Sequence, residues 1–168
     1  MTALKKQKKN YILPLAAVLC AVSLAVMVFA LTRQEVQTEM GEFTPPPFDG
    51  GAVVGSPAVP EGLGWQELDA KVYKAGICGK FIPKGNTADV WLTNPESNTV
   101  WLKVRVLDEK GNTLGETGII KPGEYVQSVE LDNVPKAGKP IVLKIMAYQP
   151  DTYYSEGAVS LNTTISEE

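Results

Sequence analysis

The stretch that decides the fold is residues 89–106, DVWLTNPESNTVWLKVRV, in which two runs of alternating residues flank a polar turn. In a strand, successive side chains point to opposite faces, so alternate residues share a face. Pairing the two runs about the turn places Trp91 opposite Trp101 and leaves one face wholly aliphatic or small. The residues of that face are Ala88, Val90, Leu92, Val100, Leu102 and Val104. We therefore predict an antiparallel hairpin with these six residues in a core and both tryptophans pointing away from it.

The chain from residue 65 onward continues in the same style. Short runs rich in β-branched and aromatic residues alternate with turns rich in Pro, Gly, Asn and Asp, and no run has the periodicity of an amphipathic helix. The predicted strands are residues 71–75, 87–93, 99–107, 113–119, 125–131, 140–148 and 157–165. This spacing predicts an all-β domain over residues 65–168, an immunoglobulin-like antiparallel β-sandwich of about seven strands.

A candidate binding surface follows if the strand at residues 140–148 shares a sheet with the hairpin. Its residues are Trp91, Trp101, Asp89, Lys103, Arg105, Met146 and Tyr148, with Lys144 at the edge. An aromatic stripe edged by charges suits a protein partner, since Trp and Arg dominate binding hot spots, and it equally suits sugar rings that stack on the indoles. The third interpretation is that the preceding linker, or residues 65–69, folds over the tryptophans and hides them.

The N-terminal segment reads as a membrane anchor. From Tyr11 to Leu31 the chain has 21 residues without a charge, enough for a helix to span the roughly 30 Å of a bilayer core. Lysines precede it and acids follow it, which places residues 1–10 in the cytoplasm and the rest outside. The alternatives are a secreted protein whose signal is cleaved near Ala30, and a lipoprotein cleaved at Cys20. Residues 32–64, rich in Pro and Gly, are predicted to be an extracytoplasmic linker.

Charge and residue usage exclude several functions. Four of the 16 basic residues precede the apolar run, so the remainder carries 12 against all 19 acidic residues, a balance of −7. That sign argues against nucleic acid. The sequence has no histidine, the commonest general base and metal ligand, and its carboxylates are scattered among turns. Cys20 lies within the predicted membrane span and Cys78 outside it, so the two cannot pair within one chain, and Cys78 is predicted to be a packing thiol. We expect no enzyme activity, catalytic residue, metal site or cofactor.

One resemblance adds to this interpretation. Residues 91–131, WLTNPESNTVWLKVRVLDEKGNTLGETGIIKPGEYVQSVEL, resemble the middle strands of small immunoglobulin-like domains of bacterial envelopes, with an NPxSN turn and a KPGE turn. With the basic tail and apolar helix, the whole chain is similar to small single-pass surface proteins of Gram-positive bacteria, some of them carried on mobile elements. The resemblance implies a non-catalytic binding or accessory role in a surface or conjugation-type assembly. It carries no site residue, because fold alone does not imply function.

Overall fold

The computed structural model describes residues 12–32 and 43–167, which belong to two compact units. The first unit contributes one helix, α1 (Ile12–Thr32). Its backbone is described throughout, together with the side chains of Leu15 and residues 18–27. Among the described residues there is no helix long and apolar enough to cross a membrane. The span predicted over residues 11–31 therefore stays a prediction, as does the alternative cleavage near Ala30. The basic tail predicted over residues 1–10 and residues 33–42 of the predicted linker lie outside the described residues.

The second unit begins at Pro45 and is built from strands, as expected. In chain order they are β1 (Val53–Val54), β2 (Trp65–Asp69), β3 (Lys74–Cys78), β4 (Pro83–Lys84), β5 (Thr87–Asn94), β6 (Trp101–Asp108), β7 (Thr113–Glu116), β8 (Glu124–Glu130), β9 (Pro140–Tyr148) and β10 (Ser155–Thr164). Each of the seven predicted strands has a counterpart, although the first lies three residues later than predicted. β1, β2 and β4 were not predicted.

The strands form two antiparallel sheets. In the first sheet the order is β1-β8-β5-β3-β2, with β4 also paired to β5; in the second it is β10-β9-β6-β7. The apolar faces of the two sheets enclose one core, and burying such faces against each other is what stabilises a two-sheet fold. The six residues predicted to face inward are all in it, from Leu92 at 0% exposed to Val100 at 6%.

The predicted hairpin is wrong, because its two strands belong to different sheets. β5 pairs with β8, so that Leu92 lies opposite Val126, while β6 pairs with β9, so that Trp101 lies opposite Tyr148. Between β5 and β6 the chain crosses from one sheet to the other. Alternation places the same residues inward in both arrangements, so the pattern alone could not separate them.

The crossing is held by asparagine side chains rather than by a ladder of backbone hydrogen bonds. The Asn94 side chain is fully buried, and its Nδ2 donates to the carbonyls of Val100 at 2.9 Å and Ile120 at 3.2 Å. Its Oδ1 accepts from Asn98 Nδ2 at 2.7 Å, and Asn98 also bonds both backbone groups of Lys74. The NPESN turn is therefore an arch between sheets.

Residues 45–64, predicted as the second half of a linker, lie within the second unit. The Asp49 amide donates to the Ile119 carbonyl at 2.9 Å, and the Ile119 amide donates to the Pro47 carbonyl at 2.9 Å. Asp49 Oδ2 also accepts from the Gly118 amide at 2.7 Å, and β1 pairs with β8. The prediction of a linker is therefore wrong for residues 45–64. Pro and Gly content alone does not reveal that backbone groups of this segment form hydrogen bonds with neighbouring parts of the domain.

Candidate binding site

The seven predicted site residues do not form one surface. Trp91 and Asp89 lie on β5 in the first sheet, whereas the other five lie on β6 and β9 in the second. A core separates the outer faces of the two sheets, so Trp91 and Trp101 are not a pair. The five residues of the second sheet do share a face, as predicted: Trp101 lies opposite Tyr148, and Lys103 opposite Met146, while Arg105 lies opposite Lys144.

Trp91 is buried at a distortion of β5. One extra residue between Asp89 and Leu92 makes a β-bulge against β8, and Trp91 there has a φ of 46°, a left-handed conformation that is strained for a bulky residue. Its side chain is 8% exposed and stacks on Tyr125, with ring centroids 6.0 Å apart. Within the described residues its Nε1 has no hydrogen-bond partner. Trp91 is not a member of the core cluster, but its burial means that it is not open to a ligand.

Trp101 is covered from two sides. The Phe48 ring meets it edge-on with centroids 4.9 Å apart, and the Tyr153 ring does so at 5.3 Å. Phe48 lies in the segment predicted as linker, and Lys121 Nζ in turn stands 4.6 Å from the Phe48 ring centroid. The interpretation in which the linker folds over the tryptophans therefore holds for Trp101.

The charges on this face pair with one another. Lys103, only 4% exposed, places its Nζ 2.6 Å from Glu116, and Arg105 Nε lies 2.8 Å from the other carboxylate oxygen. Partial burial would raise the pKa of the Glu116 carboxyl, but the hydrogen bonds and charges of Lys103 and Arg105 together lower it below its usual range. The arrangement stabilises the fold and leaves these groups engaged, so this face is a poor site for a charged ligand.

A different tryptophan, Trp65, lines a surface groove. Trp65 begins β2, is 43% exposed, and borders a groove of about 750 Å³. Pro57, Val59 and Pro60, from the segment before β2, line it as one wall, and Thr93 and Pro95 line it from β5 and the turn that follows. We call this the Trp65 groove. Sequence reasoning missed it because its first wall comes from the predicted linker and because residues 65–69 carried no strand assignment.

Gly76 explains how the indole of Trp65 lies on the sheet. The two residues are on neighbouring strands, with Glu67 directly opposite Gly76 and Trp65 opposite Cys78. A Cβ at Gly76 would overlap the ring atoms of Trp65 and would come within 3.1 Å of the Thr93 side chain. Glycine therefore lets the ring pack against bare backbone, which holds one edge of the indole and leaves the remainder facing the groove.

The Trp65 groove is acidic. Three carboxylate residues, Glu61, Glu67 and Glu96, are among its lining residues, and that lining contains no lysine or arginine. Lys74 places its Nζ 2.9 Å from Glu67, and this hydrogen bond raises the pKa of Lys74 above its ordinary value. Glu61 and Glu96 have no described ion-pair partner, so the groove presents negative charge around an exposed aromatic ring.

Cys78 lies directly opposite Trp65, on the neighbouring strand β3. Cys78 is buried, and burial, with a smaller contribution from the charge of Asp89, raises its thiol pKa to about 11. A protonated, covered thiol is a poor nucleophile. In the described part of the chain, no three His, Cys, Asp or Glu side chains converge to hold a metal ion.

The sequence matches no model of a known protein family and no curated protein.

Proposed function

We propose that the chain is a non-catalytic, membrane-anchored binding module of the cell envelope, and that its extracytoplasmic domain binds a protein partner through the Trp65 groove. The resemblance to immunoglobulin-like surface domains is part of this proposal, and the strand order supports it. In such domains strands A, B, E and D form one sheet and C, F and G the other. The orders β3-β5-β8-β1 and β6-β9-β10 correspond to these, with two differences. β1 precedes the other strands along the chain, and β2 and β7 extend the two sheets beyond β3 and β6.

The anchor and the location outside the cytoplasm rest on the sequence and on the surface of α1. Its described apolar side chains are exposed on all sides, for example Leu15 at 64%, Val22 at 56% and Met27 at 60%. The hydroxyl of Ser23, one of the few polar groups described on this helix, donates to the Leu19 carbonyl one turn earlier at 2.9 Å. Such a surface supports a lipid environment.

The choice of partner rests on the groove's exposed indole and its three carboxylates, two of which have no ion-pair partner among the described residues. An aromatic ring with nearby acids suits a lysine or arginine side chain, which gains a cation–π contact and charge-assisted hydrogen bonds together. The proline-rich wall adds apolar contact for the stem of that side chain. We therefore propose a partner that presents an extended, basic segment to the groove.

Photo-crosslinking in the organism that carries the gene tests this proposal. A photoreactive amino acid at Ser56, on the groove wall, should yield a protein adduct, and Trp65→Ala in the same chain should abolish it. Val72→Ala, at a residue 61% exposed and outside the groove lining, should leave the adduct unchanged. An adduct that survives Trp65→Ala would reject the groove as the binding site.

A glycan is the second candidate, because an exposed tryptophan beside carboxylates also suits a sugar ring that stacks on the indole while its hydroxyls bond the acids. The glycan surface predicted on Trp91 and Trp101 is replaced here by the Trp65 groove, since the former is buried and the latter is covered. Titration of the full chain with soluble cell-wall glycan fragments separates the two candidates. Saturable glycan binding that is lost in Trp65→Ala favours the glycan. No glycan binding, together with a protein adduct in the crosslinking experiment, favours the protein partner.

A further inference from the structure

The open edge of β10 is the longest among the terminal strands of the two described sheets. β10 has ten residues, compared with two in β1, five in β2 and four in β7. It pairs with β9 on one side only. An edge strand presents a row of backbone N–H and C=O groups that can pair with a further strand, so this edge is a surface for another extended chain.

The middle of β10 lacks the features that usually protect an edge strand. From Gly157 to Ile165 the sequence has neither a charged residue nor a proline, and its bulge lies at the beginning of the strand, between Ser155 and Ala158. By comparison, the β2 edge carries Glu67 in an ion pair. Charges, prolines and bulges are the common devices against edge-to-edge association, and in β10 the charge of Glu156 and the bulge both lie in the first four residues of the strand.

Only the far end of β10 is covered. Thr163 Oγ1 donates to the Gly79 carbonyl at 2.6 Å, Phe81 forms a parallel bridge with Ile165, and the Ser166 amide donates to the Phe81 carbonyl at 2.9 Å. Before that point, no described loop donates a backbone hydrogen bond to residues 158–162. Residues 158–162 therefore keep a backbone edge on the side away from β9, to which alternate residues direct their N–H and C=O groups.

The side chains of these five residues complement a second copy of themselves. If two β10 strands pair antiparallel about Ser160, Ala158 lies opposite Asn162 and Val159 opposite Leu161. The first pair is small, uncharged and exposed in each chain. The second pair is apolar and half-buried, and both of its residues already pack against the core. This register keeps core faces on one side of the combined sheet and brings no like charges together.

We infer that this edge is a homodimer interface, in which two copies join their second sheets into one continuous sheet of eight strands. The occupant is a second copy because residues 158–162 offer no charge for recognising a charged partner. Their own sequence, in one register, supplies a matched apolar pair, Val159 with Leu161, and an uncharged exposed pair, Ala158 with Asn162. This interface is on the second sheet, so it is independent of the Trp65 groove on the first.

Charge substitutions at two exposed positions test the register. In the double variant Ala158→Lys with Asn162→Glu, the inferred pairing places lysine opposite glutamate twice, so the dimer should be retained or tightened. In Ala158→Lys with Asn162→Lys, lysine meets lysine twice. The dissociation constant should then rise about tenfold or more over that of the Lys/Glu variant, because like charges directly opposite are destabilising. Ala158→Glu with Asn162→Glu should dissociate similarly, which controls for the sign of the added charge.

Sedimentation equilibrium of the full chain in detergent measures these constants, and far-UV circular dichroism confirms that each variant is folded. Ser160→Lys, which places two lysines at the two-fold axis, should also give monomers. The inference is overturned if the wild-type chain is monomeric at its highest soluble concentration. It is equally overturned if the Lys/Lys variant dimerises as tightly as the Lys/Glu variant, since the association would then lie elsewhere, such as along α1.

Discussion

Replacing Asn94 with alanine tests whether the arch between the sheets depends on one buried side chain. The substitution removes two donated hydrogen bonds, to Val100 and Ile120, and one accepted from Asn98. The Ile120 carbonyl keeps the amide of Leu102 at 3.0 Å, but the Val100 carbonyl, in a residue 6% exposed, loses the donor described here. At about 1 kcal/mol for each bond lost, the free energy of unfolding should fall by about 3 kcal/mol.

Urea denaturation followed by tryptophan fluorescence measures this change. With a slope of about 2 kcal/mol/M, the midpoint should fall by roughly 1.5 M. Asn133→Ala is the matched control, because Asn133 is exposed in the loop before β9, and it should change the free energy by less than about 0.5 kcal/mol. If Asn94→Ala costs less than about 1 kcal/mol, the side chain does not hold the arch and this account of the crossing is wrong.

Three further predictions concern the sheets and the groove. Gly76→Ala should displace the groove's tryptophan and abolish the photo-crosslink while the domain stays folded; an unchanged crosslink would show that the ring does not need bare backbone beneath it. Glu116→Gln should lower the free energy of unfolding at pH 7, because it leaves the buried Lys103 without its carboxylate. Since the pKa of Glu116 in the folded chain is lowered from 4.5, the difference in stability between wild type and variant should be full above pH 4.5 and should shrink as the pH falls through the lower folded-state pKa. Urea midpoints at several pH values measure this difference. In a Cys20→Ser chain, Cys78 should resist a thiol reagent at pH 8 until denaturant is added, as expected for a buried thiol with a raised pKa; rapid labelling of the folded chain would contradict its burial.

The inward face of the domain could be predicted from the sequence, whereas the pairing of its strands could not. Alternation specifies which side of a strand is apolar, and Val90 and Leu102 face the core in either arrangement. The partner of each strand depends on whether the NPESN segment turns back within one sheet or crosses to the other. That choice is decided by the contacts of Asn94 with Ile120, 26 residues along the chain, which no local pattern contains.

The candidate site was harder to predict, because each tryptophan depends on a distant segment. Trp101 is covered by Phe48, and the Trp65 groove is walled by Pro57 and Pro60, all from a stretch whose composition is typical of a flexible linker. The burial of Trp91 follows from a bulge, and a bulge shifts which residues share a face without a clear sign in the sequence. The five predicted residues on β6 and β9 were grouped correctly because simple alternation persists there.

The most direct test of the central claim is a titration of the full chain with a labelled lysine-rich decapeptide, followed by fluorescence anisotropy. If the Trp65 groove recognises a basic segment, this peptide should bind saturably, and added salt should weaken the binding. Trp65→Ala and the double variant Glu61→Lys with Glu96→Lys should each abolish it, and a glutamate-rich decapeptide should not bind. Equal binding of both peptides, or binding unchanged by Trp65→Ala, would contradict the assignment of this groove as the binding site.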